Sequence, residues 1–268
     1  MPVSMSTSMK SALRFAGAAA LIFLVCGNVN SQEQYSCSGN PGDSPEGEFH
    51  MARVIYPTNG GGGSHGCYQP WWAIDYPLAE GHFLKALRRI GNMSVADDSI
   101  ALQLTDPRIF QYPFLFLQQP GAGRWSPTPK EAGQLREHLL RGGFLLVDDL
   151  HGERDWAFLA AALYEVFPDR EIKEIPDNDP IMHNFFDLDR TIQVPGDRHL
   201  RYGGQVQMEG PPHWRGIYDD RGHLMVAINF NMDMGDGWEH ADDPYYPAAM
   251  TAQAYKLGIN YVMYAMSH

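Results

Sequence analysis

Asp148, Asp149 and His151 are the residues of this chain whose types and spacing point most directly to chemistry. They close the stretch Leu-Leu-Arg-Gly-Gly-Phe-Leu-Leu-Val-Asp-Asp-Leu-His-Gly, from Leu139 to Gly152. It reads as a helix end, a glycine break, an apolar strand, and then two acids and a histidine. In open α/β sheets, ligands bind beyond the carboxyl ends of the strands. A carboxylate placed there can act as a base, hold a metal or accept a hydroxyl proton, and it would raise and orient a neighbouring imidazole. Successive strand residues face opposite ways, so Asp148 and Asp149 share a pocket only if the strand has already ended. Otherwise one caps the next helix and the other satisfies loop amides. Asp106 follows another strand, over 100–104, and would lie in the same layer, although Thr105-Asp106-Pro107 is equally an ordinary turn opening.

The densest polar group runs from Asn229 to His240. Asn229, Asn231 and Asp233 alternate and share a face in extended chain. Such oxygen donors suit a divalent cation, with Asp148, Asn231 and Asp233 as candidate ligands. The register of a helix–loop–helix calcium site is not met, because glycine falls at the fifth place. Trp238 offers a flat face to a sugar or another ring. The plainer alternative is a solvated loop with Asx turns. No Gly-x-Ser-x-Gly elbow, Cys-x-x-Cys pair or His-Glu-x-x-His helix occurs. The glycine run 60–63 lacks a Lys-Ser/Thr ending, so it is a loop or lid and not a nucleotide-binding P-loop.

The elements that must position these residues alternate. Strands are expected over 51–56, 100–104, 114–117 and 144–147, with helices over 78–90, 128–141 and from 156 to 167. The middle helix opens with a Thr128–Glu131 capping box and Pro129 at its first position. A charged edge strand over 171–175 precedes an irregular stretch to 212. Residues 214–218 and 224–229 form a hairpin, a polar loop spans 231–243, and a long helix ends the chain. Arg53 and Asp75 are placed to form an ion pair near the end of the first strand. This order argues for one α/β domain over 49–268 with a largely parallel sheet.

Ahead of that domain, Lys10 and Arg14 precede an apolar run from Phe15 to Val25, then small and polar residues. That is the order of a secretory signal over 1–31, too short for a spanning helix. A retained amino-terminal anchor is the alternative. Residues 32–48 read as a mobile linker. Export to the periplasm or exterior would favour a disulfide between Cys37 and Cys67, the two cysteines left after cleavage. The formal net charge of -12 argues against nucleic acid and anionic membrane as partners.

Several segments together resemble a bacterial family of unknown function, domain four-one-five-nine. They are Phe49 to Tyr56 with its glycine run, Asp75-Tyr76-Pro77, Thr105-Asp106-Pro107, Leu140 to Asp149, His213 to Ile217, Asn229 to Trp238, and Gly258 to Tyr261. That family is similar to class I glutamine amidotransferase-like folds, near the trehalose-utilisation-like proteins. The resemblance implies a flavodoxin-like three-layer sandwich. Amidotransferases carry a cysteine nucleophile at the elbow after the Gly-Gly-led strand. Here the elbow is Asp148-Asp149 and no cysteine follows Cys67, so the required thiolate is absent.

Two functional expectations follow. The first is an exported, non-catalytic domain that binds a small polar ligand, a carbohydrate among the candidates, or a protein partner. Asp106, Asp148, His151, Asn229, Asn231, Asp233 and Trp238 would line its crevice. The second is a hydrolase that uses a divalent metal or a carboxylate pair, with Asp148, Asp149 and His151 as catalytic candidates.

Overall fold

The computed structural model describes residues 49–64, 67–203 and 209–268. The signal and linker expected over 1–48, and with them Cys37, lie outside the described residues. The chain begins with β1 (Met51–Ile55), the small hairpin β2 (Gly61–Ser64) and β3 (Cys67–Pro70), and α1 (Leu78–Gly91). It continues through β4 (Ile100–Gln103), β5 (Phe114–Gln118), α2 (Pro129–Leu140), β6 (Phe144–Leu150) and α3 (Gly152–Val166). The last part holds β7 (Lys173–Glu174), β8 (His213–Tyr218), β9 (Leu224–Phe230), α4 (Met234–Glu239) and α5 (Ala248–Ala265).

Seven strands form one sheet in the order β4-β1-β5-β6-β9-β8-β7. The first five run parallel, and β8 and β7 are antiparallel additions at one edge. Strand alternation sorts the apolar residues between two faces. Met51, Phe114, Phe116, Phe144 and Leu146 pack with Phe83 and Leu87 of α1 and Leu257 and Tyr261 of α5. Ala52, Val54, Leu115, Leu117, Leu145 and Val147 pack with Leu135 and Leu139 of α2 and Leu159 and Leu163 of α3. A mostly parallel sheet buried on both sides therefore reads in sequence as short, almost unbroken apolar runs. The capping box of α2 is present: Glu131 Oε2 accepts from Thr128 N at 2.8 Å, and Thr128 Oγ1 accepts from Glu131 N at 3.3 Å.

Three segments depart from the sequence expectation. The glycine run forms half of the β2–β3 hairpin, where any Cβ at Gly61 would fall 1.8 Å from the Gln69 carbonyl oxygen. The charged edge strand shortens to two residues, pinned to β8 by the Arg215–Glu174 ion pair at 2.8 Å. The polar loop over 231–243 contains a helix, α4, because its first amides find carboxylate acceptors.

Arg53 also differs from expectation. It pairs with Glu80 of α1 at 2.6 Å, not with Asp75, and both side chains are fully buried. Its Nη1 donates to the carbonyls of Trp72 and Ile74, at 3.3 and 3.1 Å, and its guanidinium lies over the Phe116 ring. The pair therefore fastens the turn that leads into Asp75. Removing one partner of a buried pair leaves an uncompensated charge, at a cost of about 3–5 kcal/mol. Glu80→Ala should lower stability by that order in urea unfolding, far more than removal of the exposed Asp97 that pairs with Arg88.

Candidate metal centre

The carboxyl ends of the central parallel strands open into a cavity of about 470 Å³. Its wall includes Asp75, Gln119, Asp149, His151, His199, Asp233, Asp236, Glu239 and His240. Each arrives by a different local device. At the end of β6 the pairing with β9 slips, with Val147 opposite Ile228 but Leu150 opposite Phe230. The extra residue is accommodated by Asp149, whose φ is 58°. This bulge answers the alternation problem posed by adjacent acids, because bulges re-aim side chains. Asp148 stays under the cavity floor and Asp149 enters the cavity.

Asp148 is wholly buried and fully engaged. Its Oδ2 accepts from the Met234 and Gly235 amides at 2.6 and 3.1 Å, and its Oδ1 accepts from Asn229 Nδ2 at 3.1 Å. Asp149 instead meets His151 Nε2. On α4, Asp233 Oδ1 caps the Asp236 amide at 3.0 Å, leaving Oδ2 toward the cavity. Asp75, also in the left-handed region at φ 66°, accepts from Gln118 Nε2 at 2.8 Å. Left-handed non-glycine residues cost energy and concentrate at functional sites.

Two glycines permit the close approach. A Cβ at Gly235 would lie 2.5 Å from Asp75 Oδ2. One at Gly196 would lie 3.0 Å from Asp233 Oδ2 and 3.2 Å from His199 Nδ1, filling the space between them. Gly196 falls in no sequence motif, and none of Asp75, His199, Asp236, Glu239 and His240 stands among the site residues expected from sequence, although the last three lie in the polar group 229–240. Asp236, Glu239 and His240 carried one usable signal. With Asp233 they follow an i, i+3, i+6, i+7 pattern, which puts them along one helix if the polar loop is read as helical.

The other expected residues are placed elsewhere. Trp238 is fully buried and stacks on Phe83 at 4.3 Å between ring centres, so it belongs to the core. Asn229 bridges Asp148 and Tyr261, and Asn231 accepts from the Gly152 amide and donates to the Pro211 carbonyl, so both brace the strand end. Asp106 caps the turn Pro107–Gln111 at the sheet edge and pairs with Arg108 at 2.8 Å. Of the expected metal ligands Asp148, Asn231 and Asp233, only Asp233 reaches the cluster, and it is joined there by Asp149 and His151, two of the catalytic candidates.

The ligand atoms of Asp149, His151 and Asp233 lie within 4.8 Å of one another. The same holds for Asp75, Asp233 and Asp236, and for Asp236, Glu239 and His240. The groups are linked, since Asp233 and Asp236 are each shared. Asp75, Asp149 and Asp233 are only 3%, 1% and 5% exposed. Burial, and then repulsion from neighbouring carboxylates, pushes Asp75 and Asp233 well above the usual carboxylate range and Asp236 up to about 6. Burial likewise raises Asp148 to about 7, against its three donors. Burial pulls His240 down, but the Glu239 hydrogen bond and the Asp236 charge outweigh it and lift the imidazole to about 9. His151 is raised in the same way by Asp149, again against burial. His151 Nδ1, His199 Nδ1 and Gln119 Oε1 are buried with no hydrogen-bond partner among the described residues. A second cavity, of about 350 Å³, lies at the opposite end of β6 and β9, and none of these ligand groups touches it.

A model of the family described as a domain of unknown function (DUF4159) matches residues 50–266. The chain belongs to that family. No curated protein matches the sequence. The DUF4159 match spans every element that builds the cavity, from β1 to α5.

The clustered acids set a pH dependence. Between the ordinary Asp value of 3.8 and about 6–7, the folded state binds more protons than the unfolded one, so stability falls as pH rises through that window. The stability contributed by His240 is complete below 6.5 and is lost as pH rises through about 9. Both act in one direction. Chelator-treated protein should melt at steadily lower temperature from pH 5 to pH 9, and a saturating divalent cation should flatten that slope in a thermal scan.

Proposed function

We propose that this domain binds a divalent cation at Asp149, His151 and Asp233 and uses it to activate water for hydrolysis of a polar substrate. The observation that carries the reading is the convergence of buried Asp149 and Asp233 with half-buried His151 at the strand ends, with Asp233 shared by the neighbouring group of Asp75 and Asp236. Several ionised carboxylates in a water-poor pocket repel one another strongly, and a divalent cation relieves that repulsion. Mixed imidazole and carboxylate ligands suit zinc, manganese or iron better than calcium. A bound cation would lower the pKa of its water and leave His199 or His240 within the same cavity to move protons. Sharing of Asp233 supports a second cation at Asp75 and Asp236, the arrangement of two-metal hydrolases.

Two other parts of the reading rest on sequence and strand order. The order of the parallel strands supports a flavodoxin-like sandwich, whose crevice lies where this cavity is found. We infer export from the signal pattern of residues 1–31 and a disulfide between Cys37 and Cys67. Recovery of the intact chain, unprocessed and reduced, from the cytosol would argue against both. Among the described residues no helix is long and apolar enough to cross a membrane.

Asp233→Asn should lose bound metal, measured by mass spectrometry of the metal content. It should also lose chelator-sensitive hydrolysis of ester and phosphoester panels by more than the ~10–100-fold typical of outer-shell changes. Asp106→Asn, at the sheet edge, should retain both. Metal uptake that Asp233→Asn abolishes, with no turnover on any panel, would favour a metal-dependent binding domain. Equal metal content in wild type and Asp233→Asn would remove the reading.

A further inference from the structure

The cavity divides its charges by depth. The carboxylates of Asp75, Asp149 and Asp233 are at the bottom, almost wholly buried, where their partners are His151, Gln118 and the amides of α4. Two arginines line the same cavity, Arg124 half-buried and Arg198 exposed. Neither forms an ion pair with any carboxylate among the described residues, although six acids share the cavity wall with them. Arg201, also on the wall, is in contrast committed to Asp197 and Asp243.

The two guanidinia flank Trp71 and the hairpin, and that of Arg124 is held by packing. Arg124 lies over the face of Trp71, 4.1 Å from the ring centre. Arg198 lies against the β2–β3 hairpin, where a Cβ at Gly62 would fall 3.5 Å from Arg198 Nη2 and 3.5 Å from the Trp71 ring. Trp71 and Gly62 thus bring both arginines to one wall of the cavity. A stacked guanidinium keeps its planar fork of donors free for an oxyanion and loses little freedom on binding one. Buried between this wall and the acidic floor are further unpartnered polar atoms, His151 Nδ1, His199 Nδ1 and Gln119 Oε1.

We propose that Arg124 and Arg198 grip an oxyanion group of the substrate, phosphoryl or carboxylate, and hold it against cations bound by the acidic floor. The inference rests on the metal reading above and adds the substrate class to it. Acids alone would repel such a substrate. Cations at the floor and guanidinia at the rim make the cavity attractive to it from both sides.

The test uses the full domain loaded with zinc, with inorganic phosphate and malonate as separate titrants. The double variant Arg124→Gln/Arg198→Gln, which breaks no ion pair among the described residues, should keep wild-type metal content and a melting temperature within a few degrees of wild type. Its affinity for the preferred anion should fall at least about tenfold, as loss of a charge-assisted pair requires. Preference for phosphate or for malonate identifies the phosphoryl or the carboxylate group as the source of the oxyanion. Wild-type protein that carries metal but ignores both anions, or a double variant that binds them equally well, overturns this inference and leaves the metal reading standing. Wild-type protein that takes up no metal overturns both.

Discussion

The architecture of the cavity depends on one buried carboxylate. Asp148 draws together β6, on which it lies, Asn229 at the end of β9, and the first two amides of α4. Hydrogen bonds to a charged group contribute about 1.5–3 kcal/mol each, and an amide left without an acceptor costs a similar amount. Without this acceptor the α4 segment would have little reason to be helical, being six residues long with two glycines. With it, Asp233, Asp236, Glu239 and His240 are presented over the end of β6, where Asp149 and His151 wait. Asp148 therefore contributes to the chemistry by placement alone.

The second constraint is electrostatic. Asp75, Asp149, Asp233 and Asp236 crowd into a small volume beyond the strand ends, and the left-handed backbone at Asp75 and Asp149 turns them toward it. Such crowding works against folding at neutral pH unless protons or a cation relieve it. Natural chains retain destabilising arrangements of this kind where a ligand supplies the compensation. The fold supplies rigidity elsewhere to tolerate it: Arg53 and Glu80 lock the turn before Asp75, and Tyr56 donates from its hydroxyl to the carbonyls of Gln118 and Gln119 at 2.9 Å.

Much of the fold was legible in the sequence because its signals are local. The apolar runs of β5 and β6, the Thr128–Glu131 box and the 214–229 hairpin each follow from neighbouring residues, and each is present. The site was legible only in part. That Asp148 and Asp149 stand at a strand end was readable, but which of them faces the cavity depends on a bulge set by pairing with β9, a strand about eighty residues away. Trp238 looked like a ligand platform because its neighbours are polar, yet its ring stacks on Phe83 of α1, a long-range contact no local pattern encodes. Asp75 was assigned to Arg53, and the true partner of Arg53 is set by the register of α1. Local chemistry therefore indicated which end of the sheet to examine, and long-range packing chose the residues.

The most direct test of the central claim is anomalous diffraction at the zinc edge from crystals of the domain grown with zinc. The account predicts a peak about 2.0–2.2 Å from a ring nitrogen of His151 and from carboxylate oxygens of Asp149 and Asp233. Asp148 should remain bonded to the amides of Met234 and Gly235. Water alone in the acidic pocket, or zinc bound only at surface histidines such as His183 or His223, would contradict it.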